Sequence, residues 1–143
     1  MELKRWAAGC LCIAAASIAG CGATGGVDGP VLTSGRGSGG GDDAEVKGTV
    51  ILEDECLMLQ FEDNRYPVVW PAGTRWQPEP PAVLFASGTV PIGGEVYGGG
   101  GYYSAEHLVS LPDEVTEAAA ACVGPTGEVA VFNPGSEVTI TSQ

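Results

Sequence analysis

Five cysteines, one histidine and several grouped carboxylates are the residues of this chain best suited to chemistry. His107 is the sole imidazole, with Ser104, Glu106, Ser110 and Asp113 near it in sequence. A His-based metal site or a hydrolytic triad needs further partners at fixed places. No GxSxG nucleophile turn occurs, so His107 reads as a surface or loop histidine. Glu53-Asp54-Glu55 and Glu62-Asp63 offer the oxygen ligands that Ca²⁺ takes and the carboxylate pairs that glycoside hydrolysis uses. One strand length separates the two groups, which marks them as solvated turn charges. No GxxxxGK[ST] phosphate loop and no CxxC redox pair occurs. The chain is therefore expected to be no enzyme, with no metal and no cofactor. Binding is the chemistry left, and aromatic rings can stack sugars or bases. Trp70, on a Val-Val-Trp stretch, reads as core. Trp76, Tyr102 and Tyr103 border loops and are the candidate ligand contacts.

Length and charge limit what can position these residues. The chain has 143 residues, room for one small domain with appendages. Its net charge is −12 with 18 acidic and 6 basic residues, so phosphate backbones would be repelled and nucleic acid is not an expected partner. Glycine is crowded before residue 48 and again at Gly98 to Gly101. Residues 46–143 carry the pattern of a folded domain, and everything before them reads as export and tethering.

Lys4 and Arg5 form a short positive segment, and residues 7–19 follow as 13 uncharged, mostly apolar residues. A spanning helix needs about 17–25 apolar residues, so this run fits the hydrophobic region of a signal peptide. It ends in Ile18-Ala19-Gly20-Cys21, which resembles the lipobox of bacterial lipoproteins. The types suit the chemistry: Ala19 and Gly20 leave a peptidase room at the backbone, and the Cys21 thiol reaches a lipid donor at the membrane face. The resemblance implies a signal peptide over residues 1–20, cleavage between Gly20 and Cys21, and a diacylglyceryl thioether on Cys21. A palmitate or similar acyl chain on the new amino terminus would complete the anchor. Two or more chains, at about 0.8 kcal/mol per buried CH₂, hold a protein stably on a membrane. The three charged residues before the cut sum to +1, so the remainder carries −13. Residues 22–45 are rich in Gly, Ser, Thr and Asp. With Cys21 they read as a lipidated cysteine and a disordered, flexible tether, reaching roughly 25–29 Å on average.

The domain itself reads as mainly β. Residues 46–53 alternate as a strand, with a turn at 53–55. Residues 56–61 form a second strand, with a hairpin loop at 62–65, and residues 66–70 a third. Pro78, Pro80 and Pro81 suggest an extended loop. Residues 82–86 and a short segment around Glu95-Val96-Tyr97 are further strands. The glycine run after it suggests close backbone approach or a mobile loop. One helix is expected over residues 112–122, capped by Ser110 and stopped by Gly124-Pro125. Residues 128–133 and 137–141 close the list of strands. This pattern suits a small antiparallel OB-like barrel with one short helix, a small sandwich being the second choice.

The order Gly48-Thr49-Val50, Cys56-Leu57, Val69-Trp70-Pro71, Gly93-Gly94-Glu95-Val96, Cys122, Pro125 and Val129-Ala130-Val131 is similar to small OB-like domains of actinobacterial secreted or lipid-anchored proteins. The resemblance spans about residues 47–132 and implies a fold but no activity. The helical segment before Cys122 departs from the compact pattern of those domains.

If Cys21 carries lipid, and Cys10 and Cys12 leave with the signal peptide, Cys56 and Cys122 remain in an oxidising compartment. A structural bridge between them is the expectation, with a reactive pair or free thiols as the alternatives. Such a bridge would close a loop of 66 residues, worth roughly 4 kcal/mol in the chain-entropy model. The sequence thus suggests a lipid-anchored protein on the extracytoplasmic face of a cell membrane. Its role would be a non-catalytic binding or interaction module, its partners the membrane and an envelope protein or small ligand. A passive structural envelope protein is the alternative, and a Ca-binding or hydrolytic domain a more distant one.

Overall fold

The computed structural model describes residues 25–35, 42–108 and 110–141. The expected signal peptide, the expected cleavage site at Gly20 and Cys21, and residues 36–41 lie outside the described residues. Among the described residues eleven strands and one α-helix follow in chain order. Five of the strands close into a barrel: β3 (Ala44–Glu53), β4 (Cys56–Phe61), β5 (Asn64–Trp70), β9 (Glu95–Ser104) and β10 (Glu128–Phe132). Their order around the ring is β5-β10-β9-β3-β4, and β4 pairs back onto β5 to close it. Most pairs are antiparallel, but β5 and β10 run parallel, with Val68 opposite Ala130 and Val69 opposite Val131. The mainly β, OB-like barrel expected from the sequence is the fold.

Alternation along the strands explains which way each side chain points. Val46 and Val50 of β3, Leu57 and Leu59 of β4, Val68 and Trp70 of β5, Val96 of β9, and Ala130 and Phe132 of β10 share the interior core. Trp70 stacks on Phe132 with ring centroids 5.3 Å apart and meets Phe85 in a tilted pair at 5.4 Å. A second core lies outside the barrel wall. There Val69 and Val129, facing outward, meet Leu32 and the helix residues Val115 and Ala119. β5 reads as an unbroken apolar run, Pro67 to Trp70, because both of its faces are covered.

The helix α1 (Asp113–Cys122) starts two residues later than a Ser110 cap would place it. Ser110 takes a left-handed conformation at φ 65°, and Pro112 stands at the cap without a side-chain bond. The Pro112 carbonyl accepts from the N–H groups of Val115 and Thr116 at 3.0 and 3.1 Å. Proline suits this position because its fixed φ continues into the first turn. The helix ends at a disulfide between Cys122 and Cys56, with Cα atoms 5.8 Å apart, and so ties the outer layer to the first residue of β4.

Two further elements differ from the sequence expectation. Within the segment read as a flexible tether, β1 (Gly26–Asp28) and β2 (Val31–Thr33) form an antiparallel hairpin. β2 pairs in parallel with the end of β5, Leu32 opposite Val69 and Thr33 opposite Trp70. Val31 is fully buried in the barrel core, and Leu32 sits in the outer core. Each such side chain contributes roughly 1.5–3 kcal/mol when buried. Two adjacent apolar residues on opposite faces of one short strand are what order a segment otherwise rich in glycine.

The prolines at 78, 80 and 81 form no extended loop. Pro78 and Pro81 flank, and Pro80 sits in, the tight turn between β6 (Arg75–Pro78) and β7 (Pro81–Phe85), and β8 (Gly88–Pro91) completes a three-stranded sheet. Pro78 and Pro81 face each other at the strand ends, where a missing N–H costs least. This sheet sends Val83 and Val90 into the core beside Trp70. The last strand, β11 (Thr139–Thr141), pairs with the start of β9.

Candidate binding groove

The glycine run expected to be a mobile loop or a close approach is part of β9, and it is an approach. A Cβ on Gly98 would stand 3.1 Å from two ring carbons of Phe132. One on Gly101 would stand 2.9 Å from the hydroxyl of Tyr103 and from an Asp42 carboxylate oxygen. Tyr103 therefore lies back along its own strand over Gly101. Beside it Asn133 and Asp42 exchange two hydrogen bonds, Asp42 N–H to Asn133 Oδ1 at 3.1 Å and Asn133 Nδ2 to the Asp42 carbonyl at 3.0 Å.

The three candidate contact residues do not share a surface. Tyr102 and Tyr103 are consecutive in a strand and take opposite faces. Tyr102 packs against the barrel core with its ring 4.7 Å from that of Tyr66. Burial is the main force raising its hydroxyl above the usual tyrosine value, and the Lys47 backbone N–H works against it. Trp76 packs across Gly29, where a Cβ would stand 2.8 Å from its Cδ1, and its backbone N–H donates to Asp28 Oδ2 at 2.9 Å. Among the described residues the large aromatic exposed on the barrel is Tyr97, at 43 %.

Tyr97 belongs to a shallow groove of about 250 Å³ on the outer face of β3, β9 and β11. Register brings its parts together: Lys47 stands opposite Tyr97, and Thr141 opposite Glu95. Glu45, Gly48, Phe61 and Val96 complete the lining. Gly48 keeps the floor low, since a Cβ there would meet the Gln60 carbonyl oxygen at 2.7 Å. Lys47 Nζ pairs with Glu45 Oε1 at 2.9 Å and lies 5.1 Å from the centroid of the Phe61 ring. The hydrogen bond to Glu45, then its charge, hold the Lys47 ammonium above its ordinary value. The groove thus presents an ammonium, two carboxylates, a phenol and a hydroxyl around one aromatic face. Pockets for drug-sized ligands run to about 300–1,000 Å³, so this one fits a single side chain or one sugar ring.

The other sequence candidates stay apart. Ser104 Oγ and His107 Nδ1 are 2.6 Å apart within a 3₁₀ turn, and His107 is exposed. Among the described residues no carboxylate bonds that imidazole, so the pair reads as a local turn contact. Asp54 and Glu55 form the turn at one end of β4, and Glu62 and Asp63 the turn at the other. Asp54, Glu55 and Glu62 take positive φ, as tight hairpin turns require. Among the described residues no three His, Cys, Asp or Glu side chains gather closely enough to hold a metal ion. Nor does any described helix have the length and apolarity to cross a membrane.

No family model matches the chain, and no match was found for it among curated proteins or among solved structures.

Proposed function

We propose that the chain is a lipid-anchored, non-catalytic binding module of the bacterial cell envelope, held on the extracytoplasmic face of the membrane through Cys21. The observation that carries this is Ile18-Ala19-Gly20-Cys21 at the end of a 13-residue apolar run that follows Lys4 and Arg5. The actinobacterial resemblance favours the cell membrane of a Gram-positive organism. The Cys56–Cys122 bridge is in keeping with an oxidising compartment. The groove around Tyr97 is the contact surface of this proposal, and its size points to a side chain of an envelope protein or a sugar unit.

Detergent phase partitioning tests the anchor. Wild-type protein is expected in the detergent phase, and Cys21→Ser in the aqueous phase or as unprocessed precursor. A Cys21→Ser protein that still partitions as the mature wild type does would sink the anchor reading. In-cell cross-linking, with Tyr97→Ala as control, tests the binding half. A partner enriched with the wild type and lost with Tyr97→Ala is expected. Equal recovery from both, or none beyond lipid-processing enzymes, would favour the passive structural alternative.

A further inference from the structure

We infer that the domain lies directly on the lipid surface through the β1–β2 hairpin and the neighbouring β6 rim, held there by a very short leash, with the Tyr97 groove turned away from the membrane. The inference rests on Cys21 being the lipidated residue.

The first argument is reach. Gly25 is four residues beyond Cys21 and immediately precedes β1. An extended chain covers at most ~3.3–3.6 Å per residue, so this span is no more than about 14 Å. The headgroup layer on one side of a bilayer takes up roughly 5–7 Å. Acyl chains on Cys21 begin beneath that layer, which leaves little free length above it. A free linker of 24 residues would have allowed roughly 25–29 Å. The hairpin removes that freedom by docking β2 onto β5.

The second argument is what the hairpin presents. Val27 is 46 % exposed, among the most exposed large apolar side chains described. β1 pairs with β2, and among the described residues its other edge carries no ladder. Next to the hairpin runs β6, where the Trp76 backbone N–H donates to Asp28, the Trp76 ring packs inward on the barrel core and Arg75 is exposed. An exposed aliphatic side chain on an unpaired strand edge suits the boundary between headgroups and water. Asp28 and Glu114 also border this rim, the latter 3.7 Å from a Cβ placed on Gly26. Charge attraction is therefore not the cause of contact. The leash is, and a zwitterionic lipid surface is the one this rim tolerates.

The third argument is the ring order. The hairpin joins the barrel at β5, whose neighbours in the ring are β10 and β4. β9 and β3 are the two ring strands that do not touch β5, and they carry most of the groove, with Phe61 added from the end of β4 and Thr141 from β11. Anchor and groove thus occupy opposite sides of the barrel.

The test uses mature lipidated protein in phosphatidylcholine vesicles doped with a headgroup nitroxide quencher. A fluorophore is placed at Val27→Cys, at Arg75→Cys as a second membrane-side site, or at Thr139→Cys on the far side. At least twofold stronger quenching at 27 and 75 than at 139 is expected. A Gly/Ser spacer of about 20 residues between Cys21 and Gly25 is expected to erase that contrast. Equal quenching at all three sites in protein that still partitions into detergent overturns the inference alone. A contrast that survives the spacer overturns the leash as its cause. Failure of the wild type to partition into detergent removes the anchor and the inference together.

Discussion

Gly100 shows how tightly β9 is held from both sides. A Cβ there would run into the Val131 carbonyl oxygen, and the Val131 carbonyl carbon and Phe132 Cα would stand 3.0 Å away. These are backbone atoms of a paired strand and have no rotamer to escape by. Gly100→Ala is expected to cost about 1–3 kcal/mol in urea unfolding, as overpacking does. Gly124→Ala, with nothing within 4 Å of the new methyl, should stay within about 0.5 kcal/mol of wild type. A second residue-scale consequence concerns Tyr102. Its folded-state value is raised, chiefly by burial, above the ordinary value of 10.0. The unfolded chain therefore loses this proton first as pH rises. Tyr102's share of stability is whole below about pH 10 and is lost as pH climbs through the folded value. Unfolding midpoints measured from pH 9 to 11 should fall less steeply for Tyr102→Phe than for wild type; parallel slopes would exclude Tyr102 as the source. The groove itself was hard to read in the sequence for a residue-scale reason. Lys47, Glu95, Tyr97 and Thr141 are scattered polar positions on three strands, and only their register assembles them.

At the level of elements, the disulfide carries the clearest prediction. It closes a loop of 66 residues, and the chain-entropy model gives about 4 kcal/mol for that length. The double variant Cys56→Ala, Cys122→Ala is expected to lose roughly 2–5 kcal/mol in denaturant unfolding. Hydrogen exchange in α1 should speed up more than in β3, because the bridge joins the outer helix to the barrel. Uniform acceleration across both would count against that assignment. The first strands of the barrel were the legible elements: β3 alternates, β4 and β5 are short apolar runs between turns, and α1 was placed within one residue. The β1–β2 hairpin was not legible, because Val27, Val31 and Leu32 are isolated apolar residues in a glycine-rich stretch. No local period reveals them, and their order comes from two cores built by distant strands. Proline hid β6 in the same way, since a proline at the end of a hairpin looks like one in a loop, whereas β7 was expected to within one residue. Ser110 looked like a cap, but its left-handed backbone leaves that position to Pro112.

Across the whole molecule, charge and topology set different constraints. A net charge of −12 keeps copies of the chain apart in solution, and it makes any surface not dominated by carboxylates conspicuous. The exposed Val27 on the β1–β2 hairpin stands out in this way, and this is why its position relative to Cys21 matters. Topology acts on time rather than on space. The ring closes through the parallel pairing of β10 with β5, and β10 lies near the end of the chain. Cys122 arrives almost as late as β10. As the chain is synthesised, β3, β4 and β5 can form a meander, but it has no wall to face until β9 and β10 emerge. Pairings between distant segments also form slowly. The first two thirds of the polypeptide therefore stay open and threadable until the last third is present, which is the state a chain must keep if it is to pass through a narrow pore before it folds.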